Sequence, residues 1–92
     1  MVMLFFMAGV TVYSTNSCGY CVRAKMLLKK LGVKFQEVDV TNDPEKREWL
    51  VATTGRRTVP QIFINDNAIG GFDELAALER QGKLAAMIAE IA

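Results

Sequence analysis

A short stretch, Ser17-Cys18-Gly19-Tyr20-Cys21, constrains this chain more than any other. Its two cysteines are the only ones in 92 residues. An apolar, β-like run, Val10-Thr11-Val12-Tyr13, precedes them, and a helix-like run from Val22 to Leu31 follows at once. A Cys-x-x-Cys between a strand and a helix reads as a thiol–disulfide redox site. With Cys18 at or near the N-cap, its sulfur lies beside the unpaired N–H groups of the first turn. The positive end of the helix dipole then favours thiolate over thiol. Cys21 is one turn further in, within reach of Cys18 for a disulfide. Cys18 is therefore the expected exposed nucleophile and Cys21 the buried resolving thiol. The bland alternatives are a zinc half-site and a pair of inert core cysteines. A zinc site asks for about four ligands, and the absence of His and of a third Cys argues against a monomeric one. Buried Cys is common but rarely opens a helix in this way.

The length suits one small domain, residues 1–92, with 1–8 as an extension of its first strand. Half of the residues are hydrophobic, enough for a packed core. A formal net charge of +1 with both signs interspersed argues against nucleic acid or an anionic membrane as partner. Two close cysteines do not make a disulfide scaffold, so a reducing, cytoplasmic compartment is expected. Met1-Val2-Met3-Leu4-Phe5-Phe6-Met7-Ala8 is apolar and uncharged. It is too short to span a membrane and lacks the basic start of a signal peptide. An early start to the first strand is the favoured reading. The other is that translation begins at Met3 or Met7 and the preceding residues are peripheral.

From Cys18 to about Leu31, Val22, Met26, Leu27 and Leu31 recur at helical spacing and predict the inward face of a first helix, with Gly32 as its stop. Arg23, Lys25, Lys29 and Lys30 read as a solvated face, and Arg23 could also add positive potential near Cys18. Val33 to Val40 alternates apolar and polar, as a strand does, and should pair parallel with the first. Asn42 or Asp43 caps a second helix with Pro44 at its first position. That helix runs to about Thr53, with Trp49 and Leu50 inward, and ends at Gly55. Gln61-Ile62-Phe63-Ile64 is a strand, Asn65-Asp66-Asn67 a tight turn, and Ala68-Ile69 its antiparallel partner. Gly70-Gly71 breaks that strand, and Phe72-Asp73-Glu74 opens a third helix with Leu75 and Leu78 inward. After Gly82, Lys83 to Ile91 form a last amphipathic turn or two. The order βαβαββα with Cys-x-x-Cys at the first helix predicts an α/β, thioredoxin-like fold with a four-stranded mixed sheet flanked by helices.

Four motifs, in order and spacing, resemble the glutaredoxin family: Thr11-Val12-Tyr13-Ser14, Cys18-Gly19-Tyr20-Cys21, Thr58-Val59-Pro60-Gln61-Ile62-Phe63-Ile64 and Gly70-Gly71-Phe72-Asp73-Glu74-Leu75. The likeness extends from about Val10 to Ile91. The motif tyrosine and the double glycine separate the chain from thioredoxins, which usually carry Trp before the first cysteine. The resemblance implies a cis Pro60 facing the cysteines. It implies that Val59, following Thr58, offers its N–H and C=O to the cysteinyl part of glutathione. Gly71, Phe72 and Asp73 match the site for the γ-glutamyl end, where a helix N-terminus receives a carboxylate and Asp73 takes the α-ammonium. Arg47 matches a residue that pairs with the glycine carboxylate, and Tyr20 the tyrosine that flanks the peptide. Read without the resemblance, Gly70-Gly71 only turns the chain, Asp73 only caps a helix and Arg47 is a solvated cation.

Two positions depart from the family pattern. Thr15 stands where many relatives have lysine, so one cation is missing; either Arg47 or Arg57 compensates, or glutathione binding is weaker. Gly19 stands where proline is commoner. The resemblance implies a glutathione-dependent reductase of protein–glutathione mixed disulfides and protein disulfides, monomeric, with glutathione as co-substrate and disulfide-bearing proteins as partners. Two rivals remain. One is a [2Fe–2S] carrier in which Cys18 from each of two chains joins two glutathione thiolates; otherwise no metal is expected. The other is a redoxin that takes electrons from thioredoxin reductase and serves ribonucleotide reductase. Such redoxins lack the glutathione-binding ends, so Gly71 to Asp73 argue against it.

Overall fold

The computed structural model describes residues 9–89, so the expected early strand start at 1–8 lies outside the described residues. Eight elements follow in order: β1 (Val10–Ser14), α1 (Gly19–Lys30), β2 (Phe35–Asp39), α2 (Pro44–Thr54), β3 (Gln61–Ile64), β4 (Asn67–Gly70), α3 (Phe72–Arg80) and α4 (Leu84–Ala89). The four strands form one mixed sheet in the order β2-β1-β3-β4. β1 and β2 are parallel, with Val10 opposite Phe35 and Ser14 opposite Asp39. β3 runs antiparallel to β1 and to β4. Being central, β3 is buried at all four residues. Edge strand β2 is shorter than the alternation predicts, because Val33 and Lys34 precede the paired segment. Beyond its end, Val40 is buried and its N–H donates to Ser14 C=O at 2.8 Å.

The sheet separates two apolar clusters. On one face Val10, Val12, Ile62 and Ile64 meet Ala24, Leu28, Leu75 and Leu84 from the helices. On the other, Phe63 meets Val40 and Leu50, with Tyr13, Val38 and Val59 around them. The terminators act as predicted. The Asp43 carboxylate accepts from Lys46 N–H at 3.0 Å with Pro44 at the first helical position, and Gly55 closes α2 at φ 74°. Asn65 and Asp66 turn the β3–β4 hairpin with φ of 53° and 67°, values these two residue types tolerate.

Two expectations about burial need correction. The inward face of α1 is Cys21, Ala24 and Leu28, with Leu27 half-buried against the core. Val22, Met26 and Leu31 are exposed instead. The true stripe is rotated by one residue from the apparent one and starts with two small side chains, which let α1 lie close on the sheet. Trp49 is also 43% exposed rather than inward. It lies against the second cluster by one face, its ring 5.9 Å from Phe63 and 5.6 Å from Tyr13.

Candidate active site

Where β1 ends, a three-residue loop turns the chain into α1, with Ser17 at φ 55°. Cys18 follows as the N-cap in extended conformation (φ −118°, ψ 105°). Its Sγ accepts a hydrogen bond from Cys21 N–H at 3.0 Å, the place usually taken by a capping oxygen. Cys18 and Cys21 are joined as a disulfide, their Cα atoms 5.2 Å apart. Cys18 remains partly accessible whereas Cys21 is 1% exposed. The predicted division between an accessible and a buried sulfur is present. Gly19 lacks a positive φ, and a Cβ there would meet nothing within 4 Å, so local sterics do not demand glycine.

The loop before β3 faces this sulfur. Val59-Pro60 is a cis peptide, as the resemblance implies. Val59 C=O lies 3.7 Å from Cys18 Sγ, where a reduced thiol could donate to it. Val59 precedes β3, so its backbone is outside the sheet ladder. The buried Gln61 side chain anchors the loop, donating to Thr58 C=O at 2.8 Å and to Thr58 Oγ1 at 3.3 Å. Gly71 comes so close that a Cβ on it would stand 3.2 Å from the Pro60 carbonyl oxygen. This contact accounts for the second glycine of the pair, and φ 111° accounts for the first, Gly70.

These segments enclose a cleft of about 270 Å³, lined by Tyr20, Thr58, Val59, Pro60, Gly71, Phe72 and Asp73, together with Arg56 and Glu74. Seven of the eight residues matched to glutathione contacts therefore line one cleft. Tyr20 and Phe72 form its aromatic flank, ring centres 6.2 Å apart, and the Arg23 guanidinium lies 5.3 Å over the Tyr20 ring. Arg47 is set apart. It lines an adjoining cavity of about 260 Å³ between α2 and the 56–59 loop, which shares Arg56, Thr58 and Val59 with the first. Thr15 opens on neither but lines a third cavity on the α1–β2 side.

Reading Asp73 as a mere helix cap fails. The N-cap of α3 is Gly71, whose N–H donates to Glu74 Oε1 at 2.8 Å, and Asp73 is exposed. Glu74 also pairs with Arg56 at 3.3 Å. The Gly71 N–H, then the Glu74 N–H and then Arg56 hold the Glu74 carboxyl below its ordinary range. Sequence reasoning missed both residues. An acid three positions after a candidate N-cap is a known signal and would have found Glu74. Nothing in the order of residues ties Arg56 to it across 18 positions. Among the described residues no three His, Cys, Asp or Glu side chains gather as a metal site, and no helix is long and apolar enough to cross a membrane.

Known proteins agree with this geometry. The glutaredoxin family model matches residues 10–69. A glutaredoxin of Pseudomonas aeruginosa is 49% identical over 82 residues, covering 89% of this chain and 98% of that protein. Glutaredoxin 3 of Escherichia coli K12 is 49% identical over 78 residues, covering 85% and 94%. Among solved structures, a buckwheat glutaredoxin in complex with glutathione superposes with a TM-score of 0.88 at 35% identity, over 97% of this chain and 84% of that one. Sheet order, the disulfide at the start of α1 and these likenesses converge: the chain has the thioredoxin-like fold and belongs to the glutaredoxin family of thiol–disulfide oxidoreductases.

Proposed function

We propose that this chain reduces protein–glutathione mixed disulfides and protein disulfides with glutathione as the electron donor. One observation carries the reading: Cys18 Sγ lies between the first turn of α1 and the carbonyl of Val59, a residue that lines the cleft completed by Tyr20, Phe72 and Asp73. The Cys18 thiolate attacks the glutathionyl sulfur and the target leaves as a thiolate. A second glutathione thiolate then attacks that sulfur, releasing glutathione disulfide and restoring Cys18. For a protein disulfide, Cys18 takes one target sulfur and Cys21 attacks Cys18 Sγ to release it. Glutathione lies extended along Val59, its γ-glutamyl carboxylate at the N-terminus of α3 and its ammonium on Asp73. Arg47 receives the glycine carboxylate across the shared wall of Thr58 and Val59. A small zwitterion needs a few fixed polar groups at its ends, and this cleft supplies them.

The [2Fe–2S] reading requires a second copy of the chain and two glutathione thiolates. A cluster takes four thiolates; this chain has two cysteines, here bonded to each other. The residues of one chain do not fit a cluster. The test of the main reading is a glutathione-coupled assay on two substrates, beside one coupled to thioredoxin reductase. Cys18→Ser loses all activity. Cys21→Ser keeps removal of glutathione from a protein and loses most direct reduction of protein disulfides. Loss of both activities in Cys21→Ser, or turnover with thioredoxin reductase only, contradicts the reading.

A further inference from the structure

The cavity on the α1–β2 side, about 420 Å³, touches both cysteines from the face away from Phe72 and Asp73. Cys21 and Lys25 line it together. Four residues apart on α1, they share a helix face, their Cβ atoms about 5–6 Å apart. Lys25 does not swing freely. Its Nζ lies 2.7 Å from Glu37 Oε2, and the same oxygen accepts from the hydroxyl of buried Ser14 at 2.7 Å. β1 and β2 thus fix an ammonium one turn along from the buried sulfur.

Cys21 has a problem that Cys18 lacks. Attack on Cys18 Sγ needs a thiolate, and burial disfavours the charged form. Its own N–H is aimed at Cys18 Sγ, so the first turn serves the nucleophile. The charged groups around the cavity are Lys25 from α1 and Glu37 and Asp39 from β2; β1 presents the uncharged Ser14. Asp39 is engaged by Thr41, whose N–H and hydroxyl donate to it at 2.9 and 2.6 Å. Asp73 and Glu74 of α3, with Arg56, line the other cleft. Among the described residues, Lys25 is therefore the one cation lining Cys21's cavity.

We propose that Lys25 is a positioning residue for the second half-reaction, its ammonium stabilising the Cys21 thiolate that resolves the mixed disulfide. The proposal rests on the resolving role of Cys21 stated above. In the step, Cys21 gives its proton to solvent and its thiolate attacks Cys18 Sγ. The bond from Cys18 to the target sulfur breaks and the Cys18–Cys21 bond forms. The target leaves as a thiolate and takes a proton from solvent. One disulfide replaces another, so no further oxidant or reductant is required.

The test uses the reduced full chain and a nitrobenzoate disulfide, in stopped flow across pH. The first release of coloured nitrothiobenzoate reports attack by Cys18, the second reports attack by Cys21. In Lys25→Met the second phase should slow about two- to fivefold at neutral pH, since a partly screened charge changes the thiolate fraction and lower basicity costs some nucleophilicity. Its acid limb should move to higher pH while the first phase holds. Lys25→Arg should restore the second phase. Glu37→Gln, which removes an opposing charge, should move the limb to lower pH. An unmoved second phase in Lys25→Met, equal slowing of both phases, or no rescue by Lys25→Arg overturns the proposal. Absence of any second phase in the unaltered chain overturns the resolving role itself.

Discussion

Asp73 and Cys18 are each exposed enough for their chemistry to be tested without disturbing the core. Because Glu74 supplies the bond to Gly71, Asp73 has no share in that cap. Asp73→Ala should leave the unfolding midpoint nearly unchanged, as surface substitutions away from such features do. It should raise KM for glutathione about two- to fivefold, the worth of an exposed ion pair, with kcat nearly constant. Steady-state kinetics over a range of glutathione decide this; an unchanged KM would remove Asp73 from the binding site. Cys18 stands where a helix N-cap belongs, its sulfur receiving an N–H. Alkylation of the reduced chain should therefore report a thiolate already present well below about pH 8.5, the value for a free thiol. A titration at that value would show that the helix terminus contributes nothing. The places of both were legible beforehand, since a cysteine pair and a Gly-Gly-x-Asp stretch sit in order along the chain, and the fold sets Cys18 at the start of α1 and Asp73 on the cleft. Arg56 and Glu74 were not read together, because their pairing depends on how the loop before β3 meets α3 in space.

At the scale of elements, the sequence told most where a residue has one local job. Pro44, Gly55, Asn65 and Asp66 mark a helix start, a helix end and a turn, and each does so through its own backbone preferences. The facing of α1 was harder to read. Hydrophobicity favoured Val22 and Met26, but close packing on the sheet selects the smaller Cys21 and Ala24. Such a choice depends on the distance between layers, which no single segment encodes. α3 illustrates a cap shared between elements. Glu74 reaches back to Gly71, and Gly71 lies against the Pro60 carbonyl. Glu74→Ala should cost about 1 kcal/mol, the usual worth of a cap, with little added from the half-exposed Arg56 pair. Urea unfolding measures it. Arg56→Ala should cost less than Glu74→Ala; the reverse order would place the stabilisation in the ion pair rather than the cap.

The whole molecule has an apolar interior on both faces of its sheet and keeps its few titrating anchors near the surface, which sets its stability against pH. Two carboxylates brace the elements around the sulfurs: Glu37 ties β2 to β1 and α1, and Glu74 ties α3 to the loop before β3. Lys25 and then Ser14 lower the Glu37 pKa, and the Gly71 N–H lowers that of Glu74. Each folded value lies below the unfolded one, so the folded chain binds fewer protons at a given acidic pH. Their contribution is complete above the unfolded carboxylate value of about 4.3 and is lost as pH falls through the folded values. The alkaline side has the opposite sign. Burial, and then the charge of Asp66, raises the Tyr13 pKa. Its contribution is complete below the unfolded value of about 10 and is lost as pH rises through the folded one. The unfolding midpoint of the disulfide-bonded chain, in which neither cysteine titrates, should therefore be flat in urea from about pH 5 to about pH 9 and fall on both sides. The falls should be modest, because these groups are partly exposed and solvent screens them. Two substitutions separate the limbs. Glu37→Gln should reduce the acid fall and leave the alkaline one, and Tyr13→Phe should reduce the alkaline fall and leave the acid one. Tyr13→Phe keeps the ring that packs 5.4 Å from Phe63, so its stability near neutral pH should change little. An alkaline fall that persists in Tyr13→Phe would assign that limb to lysines losing charge, and an acid fall unchanged in Glu37→Gln would place it on Glu74 and on Asp39, whose carboxyl Thr41 holds below its ordinary range.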